Sequence, residues 1–256
     1  MIQTSHEGRV LVVELDRPQQ LNSLNSAVLQ QLHDTIRAAQ SDPTVGCVVI
    51  RGAGDRAFSA GADLDEIRGL DIVDAQAFIQ LGHRTMEAVA TSTVPVIAHV
   101  DGFALGGGFE LMLACHIVIA SDRSHFGLPE ARIGCMPGFG GTQRLPASVG
   151  KPAALLLMLS GERITAERAW QIGLLSVAPL TPQETHAEVT RVARLIASGS
   201  RTGVANILDA ARAAIAPAAC AHEAALAAMC IASPDGQKGI ASFAERRQPV
   251  FHEELS

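Results

Sequence analysis

An α/β fold is predicted by three features of this 256-residue sequence. Short, nearly continuous apolar runs at 47–50, 94–100 and 117–120 suit strands covered on both faces, as in a sheet with helices between its strands. Each run leads into or lies near a glycine-rich or polar turn, and in open α/β sheets the ligand crevice lies at such turns. Elsewhere apolar residues recur at the three-to-four spacing of helices, almost without interruption after Pro152.

In chain order, residues 10–14 carry a strand pattern after the turn at Glu7-Gly8, and Val28, Leu32, Ile36 and Ala39 mark the buried stripe of a first helix. The three apolar strands follow, with GAGD at 52–55, DGFALGGG at 101–108 and SDRSHFG at 121–127 as their turns. Helices are predicted over 153–159, 166–172 and 181–198, the last opened by Thr181 with Pro182 and Glu184 in its first turn. Alanine content rises after Gly199. That shift divides an α/β core, 1–199, from a C-terminal region, 200–256, of two or three alanine-rich helices too apolar to face water on all sides.

The length suits one large domain or two small ones, and 48% hydrophobic against 18% charged residues leaves no room for long solvated stretches. A net charge of −6 without a basic run argues against nucleic acid or an anionic membrane as the main partner, while anionic small molecules stay open. No stretch approaches the ~18 apolar residues of a membrane span, and residues 1–9 lack a signal pattern, so a cytoplasmic protein is expected. The five cysteines form no C-x-x-C pair and read as buried free thiols of a reducing compartment. The nine histidines lack metal-ligand spacing, so no metal site is expected.

Several loops carry possible chemistry. Residues 52–57, GAGDRA, formally match a dinucleotide fingerprint with alanine third, but no long helix follows, and a tight turn needing glycine is the better reading. Residues 57–61, AFSAG, nearly match a nucleophile elbow, but the first glycine is replaced and Ser59 has no evident acid and base downstream. The runs FSAGADLDEI, 58–67, and DGFALGGGFEL, 101–111, both place small residues before a helix start. Such starts expose unpaired N–H donors, and two of them facing one cavity would stabilise an oxyanion; taken singly, each also reads as a glycine-permitted turn. Glu110 falls in the first turn of the helix opened by the glycines, and Glu130 follows Pro129, a typical first helical residue. Their neighbours are apolar or glycine, so two carboxyls in one such pocket would titrate as a pair, one protonated and one ionised near neutral pH.

Taken together, DRPQQLNSLN at 16–25, FSAGADL, DGFALGGGFEL, FGLPEARIGCMPGFGGTQRL at 126–145 and GIASFAERR at 239–247 resemble the enoyl-CoA hydratase/isomerase (crotonase) family over nearly the whole chain. The resemblance implies a ββα spiral core with a C-terminal helical region that builds trimers, commonly paired into hexamers. It implies that the N–H groups of Ala62 and Gly107 hold the thioester oxygen of an acyl-CoA, and that Glu110 and Glu130 are the acid/base pair of a hydratase. On the same basis the Gly138 loop closes over them, and Gln20, Leu21, Ala60, Asp63, Leu64, Gly138 and Arg246 are expected to contact CoA or substrate, Arg246 from a neighbouring subunit. Arg56 matches a basic position near the nucleotide end. CoA enters as part of the substrate, with no separate cofactor expected. The reading is therefore an enoyl-CoA hydratase, with an isomerase or another acyl-CoA reaction as the alternative and a non-catalytic acyl-CoA-binding paralogue behind it. Departures are Gln19 and Gln20 in place of a basic and a small residue, Ala227 in place of an aromatic, and His116 in place of an aspartate.

Overall fold

The computed structural model describes residues 1–68 and 70–212, and beyond them positions 234, 238, 245, 247 and 250. The chain opens with a hairpin, β1 (Ile2–Glu7) and β2 (Val10–Leu15), turned at Gly8. Helix α1 (Ser26–Ser41) follows, its first turn capped by the Asn25 side chain, which accepts from Val28 N at 2.9 Å. Val28, Leu32, Ile36 and Ala39 are its buried stripe, as the spacing predicts.

Three ββα turns come next. The first is β3 (Cys47–Gly52) and β4 (Ala57–Ser59), followed by α2 (Leu64–Ile67) and α3 (Ile72–Ala90). The second is β5 (Val96–Val100), β6 (Phe103–Leu105) and α4 (Gly107–Ala114). The third is β7 (Ile117–Ala120), β8 (His125–Gly127), a 3₁₀ turn (Pro129–Ile133) and α5 (Gly141–Val149). In each turn the first strand joins a sheet of order β1-β2-β3-β5-β7, parallel from β2 onward. The second strand joins another sheet, β4-β6-β8, whose edge is closed by antiparallel β9 (Ile164–Thr165) after α6 (Lys151–Ser160). This stepping between two sheets is the spiral that the resemblance implies.

The apolar runs read as doubly covered strands, and alternate residues do go to two cores. Val48, Ile50, Val96, Ala98, Val118 and Ala120 face the large core with α1, α3 and α4. Cys47, Val49, Ile97 and Ile119 face Val189, Ala193 and Ala197 of α8 (Pro182–Ala197), which lies across the outer face after α7 (Ala166–Gln171). Thr181 and Glu184 close a reciprocal capping box on α8.

Sequence reasoning misplaces some local structure. The acidic start at Leu64 yields a helix of only four residues, and the long helix begins instead behind Asp71, whose carboxylate caps Val73 N and Asp74 N. Glu130 stands in a 3₁₀ turn rather than an α-helix. Cys135 is exposed rather than buried, whereas Cys47 is buried and Cys115 nearly so. Helix α9 (Arg201–Arg212) is tied to the core by Arg201, which donates to the carbonyls of Ala39, Gln40 and Asp42. The helices expected after it, with Ala227 and Arg246, lie outside the described residues.

Candidate active site

One cavity of about 430 Å³ lies between the start of α4, the 61–79 region and the 129–139 loop. Its polar end is built by two backbone turns. Gly61 at φ +102 and Gly106 at φ +51 bring the chain into conformations that disfavour any side chain. A Cβ at Gly61 would lie 2.8 Å from the Leu105 carbonyl oxygen, and one at Gly108 only 2.3 Å from that of Ser59, so these glycines let α4 approach β4 closely. Ala62 N is 3.5 Å from the point where a Cβ of Gly107 would stand, and Gly107 N is 3.1 Å from that of Gly61, so the two amides lie close together. Neither N–H finds an acceptor among the described residues: the bridge to Leu24 uses Gly61 O and Asp63 N, and Gly107 is the first residue of α4.

Glu110 and Glu130 both line this cavity, but they are held differently. Glu110 is 2% exposed, and its Oε1 accepts from Phe139 N at 2.8 Å and Gly141 N at 2.7 Å. Gly141 opens α5, so the carboxylate sits at that helix's positive end, where a Cβ on Gly141 would lie 2.9 Å from Oε1. Burial pushes the Glu110 carboxyl up, while these amides and the Arg144 charge pull it back toward the ionised form. Glu130 packs its Oε1 against Gly106, and its buried Oε2 has no partner among the described residues. Burial, with the nearby Glu110 charge adding to it, raises Glu130 to about 7. Glu130 can therefore carry a transferable proton near neutral pH.

The other end of the cavity is hydrocarbon. Leu64, Ile67, Leu70, Ala75, Phe78 and Ile79 form one wall, and Ile133 and Met136 help form the other. Gly138 closes the gap: a Cβ there would meet Ile79 Cδ1 at 2.7 Å.

Of the residues expected at CoA or substrate, Ala60, Leu64 and Gly138 line the cavity. Leu21 contributes main chain, its carbonyl accepting from Ala60 N at 2.9 Å, which fastens the 17–24 loop beside the donors. Gln20 and Arg56 are exposed on neighbouring turns, where Gly54 packs on Pro18. Asp63 is turned away: it pairs with Arg17 at 2.7 Å, accepts from Ser23 Oγ and caps α2. Burial pushes its pKa up, but the contacts with Arg17, Asp65 N and Ser23 outweigh this and leave it lowered. Arg246 lies outside the described residues. The 52–57 run is a tight turn between β3 and β4, and Ser59 is buried in β4. His116 serves a structural bond, its Nδ1 accepting from Val96 N at 3.0 Å.

Sequence reasoning missed how Glu110 is held. Phe139 supplies an amide, and Arg144 fixes that amide's segment by donating to the Phe139 carbonyl at 3.0 Å. It also missed Asn22, whose buried amide donates to Ala53 O and Ala57 O and pins the 17–24 loop to the β3–β4 turn. Two consecutive residues at positive φ, Leu21 and Asn22, are the signature of that loop, but φ is not written in a sequence. Among the described residues no helix is long and apolar enough to cross a membrane, and no group of three or more candidate metal ligands occurs.

The chain is 36% identical to a crotonyl-CoA hydratase of Syntrophomonas wolfei over 248 residues, covering 96% of this chain and 95% of that one. It is 35% identical to a short-chain-enoyl-CoA hydratase of Clostridium acetobutylicum, with 94% of each covered. The crystal structure of an enoyl-CoA hydratase from Bacillus anthracis superposes with a TM-score of 0.93 at 32% identity, covering 98% of both chains. The family model described as enoyl-CoA hydratase/isomerase matches residues 5–254, and the chain belongs to that family.

Proposed function

We infer that the protein is an enoyl-CoA hydratase, adding water across the double bond of a 2-enoyl-CoA to give the 3-hydroxyacyl-CoA. The observation that carries this is the pairing in one cavity of two unpartnered amides with two carboxyls, Glu110 and Glu130, of unequal environment. The thioester oxygen sits between the N–H groups of Ala62 and Gly107, which stabilise negative charge as it develops there. Glu110 takes a proton from water as its oxygen bonds to the β carbon. Glu130 delivers a proton to the α carbon, and its raised pKa keeps that proton available near neutral pH. The water proton then passes on to restore the pair. No further cofactor is required, because CoA arrives with the substrate.

Among the described residues the tail wall presents no cationic side chain to the cavity, which supports an uncharged acyl chain. Two relatives are named for crotonyl-CoA and for short-chain enoyl-CoA, while a third, 38% identical, is named for 2,3-dehydroadipyl-CoA, whose acyl chain carries a carboxylate. The free thiols of Cys47, Cys115 and Cys135 support a cytoplasmic setting. Exposed Leu156, Leu159, Leu195 and Ile207 support assembly as a trimer or a pair of trimers.

Loss of the enoyl absorbance on mixing the purified protein with crotonyl-CoA tests the activity. Turnover of a 3-enoyl thioester without hydration of crotonyl-CoA overturns it in favour of an isomerase. Light scattering tests the assembly, and a clean monomer at micromolar concentration contradicts it.

A further inference from the structure

We propose that Phe139 determines which acyl chains the enzyme accepts, favouring chains unbranched at the carbon beyond the reacting double bond; this rests on the hydratase reading.

The ring of Phe139 is 2% exposed and is wedged between α3 and α4. Both helices give up a side chain to seat it. A Cβ at Gly82 of α3 would lie 2.2 Å from one edge of the ring, and a Cβ at Gly107 of α4 would lie 2.9 Å from the other. Phe78 completes the seat, with ring centroids 5.6 Å apart.

The same residue's N–H donates to Glu110 Oε1 at 2.8 Å. Phe139 thus touches the oxyanion donor Gly107 through its ring and the water-activating carboxylate through its main chain. With Glu110 acting at the β carbon, that places the ring where the chain leaves the polar end of the cavity, beside the β carbon and the γ carbon that follows it. The rest of the tail wall is different in kind: Met136 is 67% exposed and Ile79 is 37% exposed, so they can move aside for added length. A close-packed ring pinned at two glycines cannot yield in this way. A straight chain therefore passes the ring and presses on the movable wall, whereas a branch at the γ carbon strikes the fixed one.

The experiment measures kcat/KM for pent-2-enoyl-CoA and for 4-methylpent-2-enoyl-CoA, which share chain length and differ by one methyl group. The protein is tested as wild type, Phe139→Ala and Phe139→Leu. A misplaced methyl group changes such a ratio by roughly 10–200-fold. The expected result is a wild-type preference for the straight chain of at least about tenfold. Phe139→Ala then reduces that preference by about tenfold or more by raising kcat/KM for the branched substrate, with Phe139→Leu in between. Equal wild-type rates on the two thioesters overturn the proposal whatever the variants do. So does an unchanged preference in either variant that retains native circular dichroism. A wild-type enzyme that hydrates neither thioester overturns the hydratase reading itself, a failure distinct from loss of selectivity control.

Discussion

The segments that carry the two glutamates share a cavity but are built to opposite ends. Glu110 lies in a regular helix, is almost wholly buried and has one oxygen bonded to two amides at the head of a second helix. Glu130 lies in a five-residue 3₁₀ turn, is partly exposed and leaves one buried oxygen without a partner among the described residues. Burial raises both pKa values; the amides of the 139–141 segment oppose it at Glu110, whereas at Glu130 the opposing hydrogen bond comes only from its own N–H. Unequal solvation of two chemically identical side chains is the ground on which the proposed mechanism gives the base role to one and the acid role to the other.

The comparison breaks most severely if either carboxyl is neutralised. Glu110→Gln and Glu130→Gln are each expected to lower kcat for crotonyl-CoA by about 10²–10⁴, with the double variant scarcely worse than either single one, because the two act on linked events. Additive losses in steady-state assays would mean independent roles. Next in size is the donor that serves both glutamates alike. Ala62→Pro removes an N–H that no other group among the described residues uses and adds no Cβ that Ala62 lacks, and should lower kcat by roughly 10²–10³ with the fold retained by circular dichroism. Gly107→Pro is the less clean choice, since its Cβ would stand 2.9 Å from the Phe139 ring.

The smallest effect is on stability. Between the ordinary glutamate range and pH 7 the folded protein holds a proton on Glu130 that the unfolded chain has released. Stability is therefore lost as pH rises through that window. Glu130→Gln abolishes this penalty, so relative to wild type it should gain on the order of 1 kcal/mol in chemical denaturation between pH 4 and pH 8, the partial exposure of Glu130 keeping the figure small. A difference independent of pH would place the folded-state pKa near its ordinary value.

The fold was legible where the pattern was long enough to carry a period. Strands β2, β3, β5 and β7 and helices α1 and α8 were readable because each buries a regular set of side chains. Strands β4, β6 and β8 have three residues apiece, too few for alternation, and read as turns. Strand β1 is an exposed edge on which only Ile2 packs against the core, too little for an apolar face. In the site, the glutamates and the glycine-lined helix starts stood out because carboxyls in apolar surroundings and runs of glycine are conspicuous. The amides of Phe139 and Gly141 did not, because a backbone donor has no letter of its own. The seat of Phe139 depends on Gly82, 57 residues distant in sequence, and no local pattern joins them.

The division of labour between the glutamates is tested most directly by exchange of the α hydrogens of butyryl-CoA in deuterium oxide, followed by NMR. This saturated thioester has no double bond to hydrate and needs only the oxyanion donors and the group that handles the α proton. The account predicts that Glu110→Gln retains exchange within about tenfold of wild type, while Glu130→Gln loses at least about 10²-fold. Exchange at the wild-type rate in Glu130→Gln, or an equal loss in both variants, would contradict the assignment of Glu130 as the carbon acid.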